Sequence, residues 1–393
     1  MKFFSALSES PDADEAAREV IGTIKPQPES GKIDVVFAFF TGDHRERAGE
    51  LLERLWLELD PQALIGCSGE GIIGAGREVE RTPGLAIVAA HLPNVRIHPF
   101  HISGQSAWHE LVEDEDVLKE QLGLGPETRA VIAMGDPFTS PIDALLKSLD
   151  TAFPGLPLIG GLASAARRPG DNVLFRNDQV LSTGTVGISL SGPIDVQTVV
   201  SQGCRPIGEP MVITKARENV IQQLGGKPAL GKLQEMVESL SPRDRTLLEN
   251  GLLMGRVMTE YRDKFTRGDF LVRNVVGVGQ KDGSIALADM VRVGQTVQFH
   301  VRDAESATED LTLLLEQSSQ SKAAGGLLFS CNGRGERLFG KPDHDSGAVA
   351  TSMPETPIGG FFAAGEFGPV GGKNFLHGHT ASLALFSPPA SKE

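Results

Sequence analysis

The chain has 393 residues, of which 40% are hydrophobic and 22% charged, and its formal net charge is −14. This length exceeds that of one ordinary hydrophobic core, so two domains are expected. The acidic balance argues against nucleic-acid binding, which needs clustered Lys and Arg, and no apolar stretch is long enough to cross a membrane.

The apolar runs repeat the order strand, helix, strand three times along the chain. The first copy comprises the strand pattern Ile33–Phe40, a helical pattern at 45–59 and a strand that ends in Ile65-Gly-Cys-Ser-Gly-Glu-Gly71. The second copy spans 130–164 and the third spans 326–361. In each copy the Ile-Gly pair lies about 30 residues after a residue near the start of the first strand, and this is the length of one strand–helix–strand unit. A further strand pattern follows each copy, at 84–90, 184–190 and 381–386.

The segment between the second and third copies has a different pattern. Glycines and prolines at 192–193 and 203–210 place a boundary near residue 200. Beyond it, the spacing predicts a strand at 211–215, helices at 219–224 and 230–240, an antiparallel sheet at 269–301 with a turn at Asp282-Gly283, and a helix at 305–318. The predicted fold is α/β, with α+β as the alternative: strand–helix–strand repeats build two packed sheets with flanking helices. The predicted division is an N-terminal segment 1–30 and domains 31–200 and 201–388.

The three cysteines, Cys67, Cys204 and Cys331, show no CxxC or Cys/His metal spacing. Their odd number, without a secretory leader, predicts reduced thiols and a cytoplasmic chain. His377 and His379 would share one face of a strand, but no second cluster of metal ligands accompanies them. We therefore predict neither a metal nor another cofactor.

Several phrases of this chain together resemble the FIST family, which has an N-terminal and a C-terminal domain. They include Ile65–Gly71, Pro157–Gly161, Gly203–Gly208, Phe329–Gly335 and Gly359–Pro369. The resemblance covers about 30–386 and implies a sensory module of signal transduction that binds a small ligand, with amino acids as candidates. It implies no catalytic reaction, and it allows a signalling protein as a partner.

The turn Ser330-Cys-Asn-Gly-Arg-Gly335 follows a strand, so its backbone N–H groups could converge on an anion. Arg334 would add a two-point contact to a ligand carboxylate, with Asn332 beside it. The alternative is a tight turn in which Arg334 points to solvent or pairs with a structural carboxylate. Glu366 closes the next Gly-rich turn and would receive a ligand ammonium group. Together Arg334 and Glu366 would suit a zwitterion, and the alternative is that these two residues pair with each other.

The corresponding turns of the other repeats contribute Cys67, Ser68, Glu70 and Ser164, which would line the same cleft if the repeats pack around a common axis. The alternative is that the glycines only permit close strand packing and that Cys67 is a small buried hydrophobe.

Two other functions stay open at this point. One is a protein-interaction scaffold that needs no ligand. The other is a cysteine hydrolase in which Cys331 is the nucleophile, with His377 or His379 as the base and Glu366 as the orienting carboxylate.

Overall fold

The computed structural model describes residues 1–25, 32–249, 251–260, 264–318 and 322–389. The chain divides into two compact units, the first made of Met1–Val200 and Leu311–Glu393 and the second of Ser201–Asp310. The described residues form four sheets accompanied by helices, so the predicted α/β class is confirmed. The division into 1–30, 31–200 and 201–388 stays a prediction.

The first unit contains three copies of one sequence of elements, which we call the first, second and third repeats. Each repeat has an outer strand, a helical segment, a strand–helix–strand core, a hairpin and a returning strand. The first repeat consists of β1 (Lys2–Ser8), α1 (Ala13–Ile24), β2 (Val35–Thr41), α2 (Ala48–Leu59), β3 (Ala63–Gly69), the hairpin β4 (Gly71–Gly74) and β5 (Arg77–Glu80), and β6 (Leu85–His91). The second consists of β7 (Arg96–Ile102), α3 (Gln105–Glu113), α4 (Glu115–Leu122), β8 (Thr128–Gly135), α5 (Ile142–Ala152), β9 (Leu158–Leu162), the hairpin β10 (Leu174–Arg176) and β11 (Gln179–Leu181), and β12 (Thr185–Ser191).

The third repeat is interrupted by the second unit. It begins with β13 (Asp195–Gln202), after which the chain forms the elements of the second unit. These are β14 (Cys204–Arg217), β15 (Val220–Leu224), β16 (Lys227–Pro228), α6 (Ala229–Ser239), α7 (Pro242–Leu248), β17 (Leu253–Val257), β18 (Phe270–Gly279), β19 (Ser284–Leu287) and β20 (Thr296–Arg302). The third repeat then continues with α8 (Ala304–Ser318), β21 (Gly325–Cys331), α9 (Glu336–Phe339), α10 (His344–Ser352), β22 (Ile358–Ala363), the hairpin β23 (Glu366–Val370) and β24 (Lys373–His377), and β25 (Thr380–Ser387). Short 3₁₀ turns occupy Gly42–Arg47 and Arg267–Asp269.

The three sheets of the first unit share one topology. Their strand orders are β1-β6-β2-β3-β10-β11, β7-β12-β8-β9-β23-β24 and β13-β25-β21-β22-β4-β5. In each sheet the two core strands are parallel and the returning strand is antiparallel to the first of them. The hairpin that completes each sheet comes from a different repeat, so the three repeats are interlocked.

The burial pattern of the first core strand explains why its sequence is apolar without alternation. Phe37 and Phe39 of β2 enter a central core that also draws on β8 and β21, whereas Val36 and Phe40 pack under α1 and α2. A parallel strand covered on both faces reads as a continuous hydrophobic run.

One glycine of the second core strand in each repeat has a steric cause. It is the glycine of the Ile-Gly pair in the first two repeats, and in the third it is Gly360, which follows the pair Ile358-Gly359. A Cβ atom on Gly66, Gly160 or Gly360 would lie 2.0, 1.8 or 1.7 Å from a carbonyl oxygen of the neighbouring core strand. The oxygens belong to Ala38 in β2, Ala133 in β8 and Leu328 in β21. These contacts are far shorter than any side chain allows, so the same backbone approach fixes glycine at the matching place in each repeat.

In the second unit the sheet closes on itself, because β14 pairs with both β20 and β15. Its apolar side chains include Phe299, Val301 and Ile285, which form a core of their own. The predicted turn at Asp282-Gly283 is present, with Gly283 at a positive φ of 67°.

Two expectations differ from the structure in detail. The strand–helix–strand repeats are present, but they build three sheets with a fourth in the second unit, where two were predicted. Spacing along the chain identifies such a unit without showing which sheet it joins. The helix predicted at 219–224 is wrong, because this segment is strand β15, with β-branched Val220 and Ile221. Positive φ values at Glu218 and Gly225 reverse the chain on either side of it.

Candidate functional site

Ser164, which follows β9, contacts the ends of β3 and β22 and the turn after β3. The backbone N–H of Ser164 donates to the carbonyl of Ser68 at 3.2 Å. Its Oγ accepts a hydrogen bond from the N–H of Glu70 at 2.8 Å and donates to the carbonyl of Phe362. The structure thus brings Ser68, Glu70 and Ser164 together.

Arg337 joins Asn332 to this group of turns. Its Nη2 lies 3.2 Å from Glu70 Oε1, and its Nη1 donates to the Asn332 carbonyl at 3.4 Å. The sequence reasoning missed Arg337, although it follows the Gly-rich turn directly. Cys67 lies elsewhere, fully buried in the central core, where burial raises the pKa of its thiol well above the usual value.

Arg334 is fully buried and pairs with Asp345, a residue that the sequence did not single out. Arg334 Nε donates to Asp345 Oδ2 at 2.7 Å, and Nη2 donates to Oδ1 at 2.8 Å. The Arg334 guanidinium also lies 5.2 Å from the centre of the Phe339 ring. The Nε and Nη2 atoms of Arg334 are therefore committed to Asp345.

Asp345 is held by further groups on the same side of the third repeat. Ser330 Oγ donates to Oδ2 at 2.6 Å, and His344 Nδ1 lies 2.8 Å from Oδ1. Burial raises the pKa of Asp345, but the Arg334 charge and the hydrogen bonds outweigh it and lower this pKa below the usual range. Asp345 is therefore ionised and balances the charge of Arg334.

Glu366 is also fully buried, at the start of β23. Its Oε2 accepts hydrogen bonds from Thr380, from the N–H at 3.1 Å and from Oγ1 at 2.8 Å. Burial raises the pKa of Glu366 to about 8, against the opposing effects of Thr380, the Arg334 charge and the Cys331 thiol. The side chain is thus mainly neutral at pH 7, so it lacks the charge expected for binding an ammonium group.

The position of Glu366 in its sheet makes its burial unusual. Glu366 is opposite Gly161, which follows the close-packed Gly160. The matching hairpin positions of the other two sheets are Ile72 and Leu174, both buried in the central core. In the second sheet a carboxyl group therefore occupies the position at which the other two sheets bury an aliphatic side chain. Removing this carboxyl group from water costs free energy.

Two polar atoms of this cluster have no hydrogen-bond partner among the described residues: Arg334 Nη1 and Glu366 Oε1. Buried polar atoms are nearly always paired in proteins, with protein groups, water or a ligand. We call Arg334, Asp345, Glu366, Thr380 and Cys331 the buried polar cluster.

Cys331 ends β21, and the residue is 8% exposed. Its Sγ lies 4.0 Å from Asn332 Oδ1, and its thiol interacts with both Arg334 and Glu366. His377 Nε2 lies 2.9 Å from the Gly368 carbonyl within the β23–β24 hairpin. His379 occupies the following turn with a φ of 67°. The neighbours of the thiol therefore include Asn332, Arg334 and Glu366.

A second buried carboxyl, Glu78 of β5, borders the cluster. Its Oε1 accepts a hydrogen bond from Ser346 N–H at 2.8 Å, at the start of α10. Burial and the nearby Asp345 charge raise the pKa of Glu78 to about 7. Ser346 also lines a cleft of about 560 Å³ bordered by β1, α1 and α10. Because Glu78 is far from Asp345 in sequence, no local signal connects these residues.

Within the described ranges, no group of three or more His, Cys, Asp or Glu side chains is placed to hold a metal ion. In the same part of the chain, no helix has the length and apolar character needed to cross a membrane.

Comparison with known proteins identifies the family. The family model of the FIST N domain matches residues 34–227, and that of the FIST C domain matches 229–369. The chain belongs to the FIST family. FIST domains are sensory domains of signal transduction.

The relatives of this FIST protein include an uncharacterized protein of Mycobacterium tuberculosis, Rv0628c, which is 38% identical over 393 residues, covering 98% of this chain and 100% of the relative. The uncharacterized protein Mb0898c of Mycobacterium bovis is also 38% identical, over 98% of this chain and 99% of its own. An F-box/LRR-repeat protein of Arabidopsis thaliana is 32% identical over 85 residues, which are 20% of this chain and 16% of that protein. Among solved structures, a cyanuric acid hydrolase from A. caulinodans aligns over 98% of this chain and 99% of its own, with a TM-score of 0.39 and 8% identity.

Proposed function

We propose that this FIST protein is a sensory module that binds a small molecule at the buried polar cluster, through a carboxylate or carbonyl group of that ligand. The observation that carries the proposal is the pair of unpartnered atoms, Arg334 Nη1 and Glu366 Oε1, on fully buried side chains. Desolvated donors of this kind bind an acceptor strongly, because leaving them unpaired is costly.

The protonation states of the cluster residues favour a ligand that accepts hydrogen bonds over a zwitterionic ligand. Arg334 already neutralises Asp345, and Glu366 is mainly neutral at pH 7 because its pKa is about 8. A neutral carboxyl group donates a hydrogen bond and offers little to an ammonium group. An amino acid would therefore be recognised mainly through its carboxylate, and other carboxylates or carbonyl compounds would serve as well.

The turns above the cluster provide the route for a ligand. Cys331 is slightly exposed, and Asn332 is half-buried beside it. Glu70 and Arg337 are exposed and join the turns of the first and third repeats. Opening the Arg337 contacts would uncover the cluster, so binding and a change in the turns would be linked, as a sensor requires.

Thermal unfolding with matched carboxylates and amides tests this proposal. We expect acetate, pyruvate or an amino acid to raise the Tm with a dependence on RT ln(1 + [L]/Kd), and acetamide to raise it less. Glu366→Leu, which places an aliphatic side chain here as in the other two sheets, should abolish the increase in Tm while the protein stays folded. Glu80→Gln is the control, because Glu80 lies outside the cluster and accepts a hydrogen bond from Glu336 N–H at 2.8 Å. If no carboxylate or carbonyl compound changes the Tm, the ligand proposal fails and the scaffold alternative gains support.

A further inference from the structure

Cys331 is the most exposed residue of the buried polar cluster. The residue as a whole is 8% exposed, whereas Arg334 and Glu366 are 0% exposed. The other two cysteines, Cys67 and Cys204, are 0% and 1% exposed. Cys331 therefore has the largest exposed fraction both among the three cysteines and among the residues of the cluster.

Strand pairing places the thiol next to the Glu366 carboxyl. Thr380 binds Glu366 Oε2 through its N–H and its hydroxyl. The next residue, Ala381, is opposite Ser330 in the β21–β25 pair. Thr380 and Cys331 are therefore adjacent across the two strands, and the carboxyl that Thr380 holds is brought to the thiol.

The groups around the thiol match the needs of addition to a carbonyl. A thiol reacts well when a neighbouring positive charge and a proton-accepting group favour its thiolate. The guanidinium of Arg334 is the positive group, although Asp345 offsets its net charge, and its unpartnered Nη1 is a hydrogen-bond donor for an oxygen that becomes negative. Glu366 has an unpartnered oxygen and can both give and receive a proton.

We propose that Cys331 adds reversibly to the carbonyl carbon of a small aldehyde or α-oxo acid, with Glu366 relaying the proton. The S–C bond forms as the C=O π bond opens. Glu366 gives its proton to the carbonyl oxygen and receives the proton of the thiol, so it ends in its initial state. The step needs no leaving group, oxidant or other co-reactant. This inference rests on the proposed ligand site and names the class of ligand it takes.

Alkylation of the native protein by iodoacetamide, mapped by mass spectrometry, tests the inference. We expect Cys331 to be labelled at least roughly tenfold faster than Cys67 and Cys204, which serve as internal controls. Pyruvate, glyoxylate and acetaldehyde should protect Cys331, whereas lactate, glycolate and ethanol, which lack the carbonyl, should not. Glu366→Gln should remove the protection because an amide cannot relay the proton. Glu80→Gln should retain it.

Three other outcomes would overturn the covalent step, each for a different reason. Labelling of Cys331 no faster than that of Cys204 would show that the thiol is not accessible. Equal protection by pyruvate and lactate would show non-covalent occupancy, which supports the ligand site and removes the covalent step. Rapid labelling without protection by any of the three carbonyl compounds would exclude this ligand class. The variant Cys331→Ser separates the two proposals. Acetate should still raise its Tm, whereas pyruvate should no longer raise the Tm more than lactate does.

Discussion

Arg334 and Asp345 form a two-point ion pair away from solvent, with Nε–Oδ2 and Nη2–Oδ1 distances of 2.7 and 2.8 Å and side-chain exposures of 0% and 1%. This arrangement fixes the orientation of the guanidinium group. The pair therefore decides which nitrogen of Arg334 is left for another partner, and that nitrogen is Nη1.

Breaking the pair from one side should be strongly destabilising. Asp345→Asn would leave the Arg334 charge buried without a counter-charge, and we expect the free energy of unfolding to fall by about 3–5 kcal/mol in urea denaturation. The control is Glu127→Gln, which breaks the Arg96–Glu127 pair with side chains 71% and 69% exposed and should cost less than about 1 kcal/mol. Similar losses in both variants would contradict the structural role of the buried pair.

Replacing both partners should cost less than replacing Asp345 alone. The double variant Arg334→Met/Asp345→Leu removes both charges, so no uncompensated charge stays in the interior. A double-mutant cycle measures this coupling. If the double variant were as unstable as the sum of the single variants, the two side chains would not act as a pair.

Glu366 should make the protein less stable as the pH rises. Its pKa is about 8 in the folded chain, against an ordinary value of 4.5, so the folded state binds the proton more tightly. The cost is absent below pH 4.5, grows between pH 4.5 and 8, and is complete above pH 8. Since one pKa unit corresponds to about 1.4 kcal/mol, the total is on the order of a few kcal/mol.

Glu366→Gln should flatten this pH dependence when unfolding by urea is followed from pH 5 to pH 8.5. Glu78, with a pKa of about 7, adds a slope of the same sign, so the flattening should be partial in the single variant. The exposed substitution Glu127→Gln is again the control and should leave the slope unchanged. A slope that is the same in Glu366→Gln and in the unsubstituted protein would mean that Glu366 is ionised in the folded chain.

His300 of the second unit should have the opposite dependence on pH. It is fully buried, with its ring 4.9 Å from that of Phe270, and burial lowers its pKa to about 4. The unfolded chain takes up a proton near pH 6.5 while the folded chain does not, so stability is lost as the pH falls from 6.5 to 4. His300→Phe should remove up to roughly 3 kcal/mol of this acid sensitivity in unfolding curves at pH 4.5 and pH 7. Equal acid sensitivity in both proteins would exclude a buried neutral His300.

The sequence was sufficient to predict the strand–helix–strand repeats because their signals are local. Apolar runs, helical spacing and the Ile-Gly pairs all lie within about 30 residues of one another. The third sheet was missed because its outer strand, β13, is separated from β21 by the second unit. The interlocking of hairpins was missed for a similar reason, since pairing between β22 and β4 joins segments far apart in the chain.

The candidate site shows the same limit. Arg334 and Glu366 were recognisable from their Gly-rich turns, and they do share one buried cluster. The partner of Arg334 was not recognisable, because no local signal in the sequence connects Asp345, in the first turn of α10, with the Gly-rich turn that contains Arg334. Nor could the sequence give the protonation of Glu366, which depends on its burial in the folded chain.

The close-packed glycines provide the most direct test of the threefold repeat. In each sheet a Cβ atom would meet a carbonyl oxygen at 2.0 Å or less, at Gly66, Gly160 and Gly360. Alanine at any of the three would force the two parallel strands apart and break their hydrogen bonds. We expect each substitution to cost more than about 3 kcal/mol or to prevent folding, a size seen only for severe steric or packing defects.

Gly22 in α1 is the matched control, because a Cβ atom there would meet nothing within 4 Å. Alanine is a better helix former than glycine, so Gly22→Ala should stabilise the protein by up to about 1 kcal/mol. Urea denaturation of the four variants measures these opposite effects in one series. A repeat built on equivalent strand contacts requires Gly66→Ala, Gly160→Ala and Gly360→Ala to be similarly damaging. If one of them were tolerated, its sheet would have a looser strand pair and the equivalence of the three repeats would fail at that sheet.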